Sequence, residues 1–230
     1  MPWGRVGSNL LMNLINQAKE SKKLNSEIFN QLKTREEQLA WLVEFYAFGR
    51  RPTVELLGSK QSVLSIRDLP ALENMLRAND VKIIRMRRDD CLKAAVSQIR
   101  AEQYASKTLE TDGKARWAVR KGEEPLGPSH VPLEILSRRI EIMKTQQDLM
   151  MVGFVGLDTL EIEYEEINSN LETTYRRLSD FLCFSANSYA VPFVKATPDD
   201  LRSAVSNYEE ICESLRDGPY AAYLPRGANQ

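Results

Sequence analysis

Val81-Lys82-Ile83-Ile84-Arg85-Met86, continuing into Arg87-Arg88-Asp89-Asp90 and then Leu92, Ala95, Val96 and Ile99, decides the fold class. The first six residues form a short, nearly continuous apolar run, which suits a parallel strand covered on both faces. The later apolar positions recur at helical spacing. The same strand-then-helix order repeats outward. Upstream, Val54-Glu55-Leu56-Leu57 reads as a strand ending at Gly58-Ser59-Lys60, and Leu69 to Ala78 reads as a helix. Downstream, Leu160, Ile162 and Tyr164 alternate with Glu161, Glu163 and Glu165, which is strand periodicity. Ile167, Leu171, Tyr175, Leu178 and Leu182 then return to helical spacing. Further helices are marked by Leu39, Leu42, Val43 and Tyr46, by Leu136, Ile140 and Met143, and by Leu201, Val205, Tyr208 and Leu215, the last read as one long helix. This order predicts an α/β fold, a mainly parallel sheet flanked by helices with a helical carboxyl-terminal part. Residues 106–130, with Gly113, Gly122, Pro125, Gly127 and Pro128, read as a mobile loop.

Composition narrows the function classes. The chain has 230 residues, 31 Lys plus Arg against 32 Asp plus Glu, and 43% hydrophobic residues, which is enough apolar material for a large core. A net charge of −1 argues against a groove-binding nucleic-acid protein, which carries a basic excess. No apolar run reaches the roughly 18 residues of a membrane span, and no leader peptide is visible. Cys91, Cys183 and Cys212 are widely spaced and odd in number, so the expectation is a reducing, cytoplasmic compartment with no disulfide framework and no zinc site. His130 is the single histidine, which leaves metal sites built on two histidines without support.

Two segments carry chemistry. Gly4-Arg5-Val6-Gly7-Ser8-Asn9-Leu10-Leu11 is a glycine turn feeding a helix start. The free amides at such a start and the positive end of the helix dipole make an anion site. Arg5 adds a bidentate charge, and Ser8 and Asn9 add side-chain donors. Taken alone, the stretch reads equally well as a helix cap after a turn. The second segment holds six basic residues, Lys82, Arg85, Arg87, Arg88, Lys93 and Arg100, opposed locally by Asp89 and Asp90, with Ser97 on the following helix. Such a strand end can grip a second phosphate, and it reads alternatively as a solvated charge run.

Together the two segments resemble the sulfotransferases that use 3′-phosphoadenosine-5′-phosphosulfate (PAPS), in particular the bacterial carbohydrate-type group. The glycine turn resembles their 5′-phosphosulfate loop, and Arg88 with Ser97 resembles their 3′-phosphate element. Asn25-Ser26-Glu27-Ile28-Phe29 sits where bacterial members carry an acidic residue before an aromatic one, and Gly58-Ser59-Lys60 resembles a strand-end Gly-x-Lys. Leu160 through Ile167 with Phe181-Leu182, Phe193-Val194-Lys195-Ala196-Thr197-Pro198 and Asn207-Tyr208-Glu209-Glu210-Ile211 resemble the family's later elements, so the likeness spans nearly the whole chain. The family has a hydrophobic strand leading into the first loop, whereas Met1-Pro2-Trp3 stand there in this sequence. Asn9 takes a position where many members have Thr or Ser, and it keeps the hydrogen-bonding capacity.

The resemblance implies a P-loop-like domain over residues 1–230, its first strand either truncated or displaced, that moves a sulfuryl group from PAPS to a hydroxyl acceptor of carbohydrate or glycolipid type, without a metal. Arg5, Val6, Gly7, Ser8, Asn9 and Leu10 would hold the phosphosulfate. Arg88 and Ser97 would hold the 3′-phosphate, with Tyr164 lining the nucleotide and Lys195 approaching from the carboxyl-terminal segment. Glu27 would be the base, with Arg5 and Lys60 stabilising charge; His130 is the alternative base. Trp3 and Trp117 are candidates for packing near the anion loop and against an acceptor sugar. No nucleic acid partner and no membrane span are expected, and the reading is compatible with a homodimer. Two other readings stand beside it. A P-loop small-molecule phosphotransferase would need a lysine after Gly7 and magnesium ligands. The other is a non-catalytic protein on a degenerate sulfotransferase scaffold.

Overall fold

Among the described residues, each strand is short, parallel to a single neighbour, and followed in the chain by a helix or a 3-10 turn. The computed structural model describes residues 6–18, 22–49, 56–117, 119, 122–124, 126–184 and 197–224. In chain order the elements are α1 (Ser8–Ala18), β1 (Lys22–Ser26), α2 (Arg35–Gly49), β2 (Leu56–Lys60), α3 (Leu69–Ala78), β3 (Ile83–Arg87), α4 (Cys91–Asp112), α5 (Leu133–Val152), β4 (Thr159–Glu163), α6 (Tyr164–Ser169), α7 (Leu171–Leu182), α8 (Leu201–Ala204) and α9 (Tyr208–Leu215). Short 3-10 turns occupy Ile28–Asn30, Val63–Ser65 and Ala221–Tyr223. Among the described residues no helix is long and apolar enough to cross a membrane.

The α/β class and the parallel pairing agree with the sequence reading. In place of one mainly parallel sheet, the described residues form two separate pairs. β1 lies parallel to β2, from Lys22 beside Leu56 to Ser26 beside Lys60. β3 lies parallel to β4, from Ile83 beside Thr159 to Arg87 beside Glu163. β1 has no counterpart in the sequence reading, because Lys-Lys-Leu-Asn-Ser holds a single apolar residue and neither period shows in it.

The chain divides into two compact units, Met1–Asp89 with Gln146–Val191, and Asp90–Thr145 with Pro192–Gln230. In the first unit β3 separates two apolar clusters by the alternation of its side chains. Ile84 and Met86 join Leu11, Leu14, Ile15, Ile162, Ile167 and Leu178, while Ile83 packs with Phe29, Leu42, Leu72 and Leu76. The helix α3 begins where its sequence says it should: the Asp68 carboxylate accepts the Ala71 N–H at 2.9 Å, and Pro70 fills an early position that needs no donor.

The second unit is built around α4, whose Cys91, Leu92, Ala95, Val96 and Ile99 are buried against Leu136, Ile140, Ala204, Ile211 and Leu215. The α4 helix runs to Asp112 and stops at Gly113 with φ +66°, so residues 106–112 are helical rather than loop. The single helix expected over 201–215 is broken. Val205 takes an extended conformation and bridges Ser129, and the Asn207 side chain both accepts from the Val131 N–H and donates to its carbonyl, each at 3.0 Å. Helical periodicity persists through this break because α8 and α9 turn apolar faces to the same core. A second break falls at Asn170, whose carboxamide accepts the Thr173 N–H at 3.1 Å and restarts the helix as α7.

Candidate functional site

Gly7 opens α1. Its carbonyl accepts the Leu11 N–H at 3.0 Å, so the amides of Ser8, Asn9 and Leu10 lie ahead of the first helical hydrogen bond. Two observations make the glycine obligatory. Its φ is +81°, and a Cβ added there would stand 3.0 Å from Cδ2 of Tyr164 and 3.4 Å from Cδ1 of Ile167. The turn therefore lies directly against the Tyr164 ring.

Tyr164 is the first residue of α6, not the last residue of a strand. Strand alternation ends at Glu163, and the extra match at 164 came from an apolar body at a helix start. The Arg88 guanidinium lies over the same ring, 4.2 Å from its centroid, and Arg88 is 5% exposed. The Gln147 carboxamide donates to the Arg88 carbonyl, which fixes the main chain at the end of β3. Gly7, Tyr164 and Arg88 thus meet at one aromatic side chain, all within the first unit.

The rest of the arginine cluster has a different role. Register sets Arg85 beside Glu161 and Arg87 beside Glu163, and both arginines are ion-paired to those glutamates across the strands. Arg85 also donates to the Met150 carbonyl at 3.1 Å. The hydrogen bond that Arg87 donates to the Glu163 carboxylate raises the arginine's pKa above its ordinary value. Lys93 pairs with Asp90 at 3.4 Å, and Asp90 caps α4 by accepting the Lys93 N–H at 2.8 Å. Arg100 is 2% exposed in the second unit, where it donates to the carbonyls of Leu126, Gly127 and Ala204; burial lowers its pKa. The charge tally along the sequence missed these partners because the glutamates arrive from β4, far along the chain.

A second group gathers at the carboxyl end of β2. Lys60 Nζ lies 2.5 Å from Glu27 Oε1 and donates to Asn9 Oδ1 at 2.8 Å. The main chain repeats the link, with the Glu27 N–H donating to the Lys60 carbonyl at 2.6 Å. Glu27 adopts a left-handed conformation, φ 58° and ψ 31°, which is uncommon for a residue with a Cβ. It turns the chain from β1 into the Ile28–Asn30 turn and brings its carboxylate back over the strand ends. Gln61 completes the turn: its side-chain oxygen accepts the Phe29 N–H at 3.0 Å, and its amide donates to Ser59 Oγ at 2.5 Å. Gln61 carried no signal in the sequence beyond its place after Lys60.

Asn9, Glu27 and Lys60 come together, as do Gly7, Tyr164 and Arg88. The two groups share the Gly7–Asn9 turn. Val6, Ser8 and Leu10 belong to that turn and its helix start; Leu10 packs at the edge of the Leu11 cluster. Ser97 is nearly buried in the second turn of α4, and exposed His130 also belongs to the second unit, where its carbonyl accepts from Gln103 Nε2 at 2.8 Å. Trp117 is exposed there. Arg5, Lys195 and Trp3 lie outside the described residues.

A cavity of about 310 Å³ also lies in the first unit. It is bounded by all five residues of β2, by Ile83, Ile84, Arg85 and Met86 of β3, and by apolar side chains of α1, α2 and α3. Its polar lining includes Ser8, Glu27, Lys60, Gln61, Lys82 and Gln146. No family model, curated protein or solved structure matches the chain.

Proposed function

We propose that the protein is a PAPS-dependent sulfotransferase acting on a hydroxyl acceptor of carbohydrate or glycolipid type, on a P-loop-like fold. The reading rests on one observation above the others: the helix-start turn at Gly7 and the Arg88 guanidinium contact the same Tyr164 ring. The motifs expected to hold the two anionic ends of one nucleotide are thereby neighbours, although 81 positions separate them in the chain (88 − 7 = 81).

The residues present fit such a co-substrate. Gly7 lets the Tyr164 ring close on the turn, and the amides of Ser8, Asn9 and Leu10 precede the first helical hydrogen bond, as amides do at anion-binding helix starts. Arg88 supplies a nearly buried cation to a phosphate, and Tyr164 holds its guanidinium plane. When bound, PAPS supplies an activated sulfuryl group. Lys60 offers its ammonium to the negative charge that builds on the sulfuryl and bridging oxygens, where a fixed charge in a partly dry site is most effective. Glu27 takes the proton of the acceptor hydroxyl as the acceptor oxygen bonds to sulfur and the bond from sulfur to the phosphate oxygen breaks. Asn9 ties Lys60 to the anion turn, so base, cation and anion site are positioned as one assembly. Arg5 remains assigned to the nucleotide by resemblance.

Thermal-shift titration with adenosine 3′,5′-bisphosphate, compared with ATP plus magnesium, tests the reading. Stabilisation by the bisphosphate alone is expected. A response to ATP with magnesium alone favours phosphoryl transfer, and a response to neither removes the nucleotide-binding reading.

A further inference from the structure

Polar atoms line the cavity in the first unit that nothing in the described chain satisfies. Ser62 stands at the start of the Val63–Ser65 turn, where a serine hydroxyl commonly accepts an amide of the turn it opens. Its side chain makes no such bond. Ser62 is 8% exposed, it lines the cavity, and among the described residues its Oγ has no hydrogen-bond partner. Two further buried atoms of lining residues share that condition, Oε1 of Gln146 and Nε of Arg85. The other guanidinium nitrogens of Arg85 are engaged by the carbonyls of Met150 and Gly153 and by Glu161. A buried polar atom without a partner costs free energy, and a folded chain rarely keeps several at one cavity with nothing to receive them.

These atoms describe the chemistry of an occupant. Gln146 Oε1 only accepts, the Arg85 Nε–H only donates, and the Ser62 hydroxyl does both. An alcohol, which also does both, answers that set. The charged residues of the lining do not call for an ion: Glu27 is paired with Lys60, Arg85 with Glu161, and Lys82 lies 3.9 Å from Asp158. Most of the wall is apolar, with Leu24, Leu72 and Ile83 beside the rings of Phe29, Trp41 and Phe154. Phe29 and Trp41 meet edge to face, their centroids 5.7 Å apart. Size sets the remaining limit. A cavity of about 150 Å³ holds one benzene ring, so one of about 310 Å³ takes about twice as many heavy atoms.

We propose that this cavity is a binding site for a neutral, mainly apolar small molecule of about twelve non-hydrogen atoms that carries at least one hydroxyl. The hydroxyl is received by the Ser62 and Gln146 side chains, and the apolar body packs against Phe29, Trp41 and Phe154. The inference stands on the lining and its unpartnered atoms, and it does not depend on the proposed reaction.

Calorimetric titration of the full chain with 4-phenylbutanol tests it. Butylbenzene gives the same skeleton without the hydroxyl, and 4-phenylbutyrate gives it with a charge. The alcohol is expected to bind once per chain with a Kd of about 10⁻⁴ M, and the carboxylate at least about 10-fold more weakly. Ser62→Ala and Gln146→Leu should each weaken the alcohol about 5- to 10-fold and change butylbenzene less than about 2-fold. Without ligand, both variants should melt no lower than the parent, because each removes an atom that has no partner in the folded chain. Absence of saturable alcohol binding at millimolar concentration would overturn the proposal and leave the cavity to water. Unchanged alcohol affinity in both variants would also overturn it, as would tighter binding of the carboxylate or equal losses for the alcohol and butylbenzene. A lower melting temperature in both variants would show that these side chains already have partners, which removes the argument. Binding of adenosine 3′,5′-bisphosphate, measured on the same chains, reports on the proposed function separately.

Discussion

Lys60 and Glu27 are joined twice: the ammonium sits 2.5 Å from the carboxylate, and the Glu27 N–H donates to the Lys60 carbonyl at 2.6 Å. The backbone bond holds Glu27 in its left-handed conformation independently of the side chain. Glu27→Gln therefore keeps the turn while removing the charge. Turnover in a sulfate-transfer assay is expected to fall by about 10²- to 10⁴-fold, with affinity for adenosine 3′,5′-bisphosphate within a factor of about 3 of the parent. Normal turnover in this variant would remove Glu27 from the base role. Both side chains are about four-fifths buried, so each single removal leaves its partner without its counter-ion. The Lys60→Met and Glu27→Gln double variant should be more stable than the sum of the single losses predicts, a coupling of about 0.5 to 3 kcal/mol by urea denaturation.

Gly7→Ala inserts a methyl group where Cδ2 of Tyr164 stands 3.0 Å away, at a φ of +81°. The strain should cost about 1 to 3 kcal/mol of unfolding free energy and should weaken nucleotide binding by displacing the helix-start amides. Tyr164→Ala removes the contact atom but not the backbone strain. Gly7→Ala is accordingly expected to be less damaging in the Tyr164→Ala background than alone, and equal losses in both backgrounds would show that the ring is not what crowds position 7.

The arginines separate by partner. Arg88→Met should lower affinity for adenosine 3′,5′-bisphosphate by about 10- to 100-fold and barely alter binding of adenosine 5′-phosphosulfate, which lacks the 3′-phosphate. Arg85→Met and Arg87→Met should instead leave both ligands bound as before and lower stability, because Glu161 and Glu163 lose their cross-strand partners. Calorimetric titration of the three variants decides it. A uniform loss across all three would mean that the cluster acts as a diffuse positive field.

These arginines also mark how far the sequence can be read. Strand β3 was legible because it carries its own signal, an apolar run. Glu27 and Lys60 were each picked out from a separate motif, but nothing in the sequence paired them. What remained hidden depends on distant chain. β1 exists because β2 offers it an edge, the arginines are neutralised by a strand more than 70 residues later, and Val205 leaves its helix to pair with Ser129. Tertiary partners override local pattern in each case.

Alkaline pH gives a test of packing that needs no ligand. Burial raises the pKa of Tyr46 to about 12, and that of Tyr208 to about 12 with help from a hydrogen bond to Cys212. The unfolded chain releases these protons near pH 10. Between about pH 10 and 12 the folded protein holds protons that the unfolded chain has lost, so stability falls as pH rises through this window and is complete below it. Tyr46 belongs to the first unit and Tyr208 to the second. Absorbance titration should show two tyrosines ionising late, and urea midpoints should drop steeply above pH 10. Tyr46→Phe is expected to flatten that drop in part and Tyr208→Phe in part. An unchanged slope in both variants would show that neither hydroxyl is held in a desolvated site.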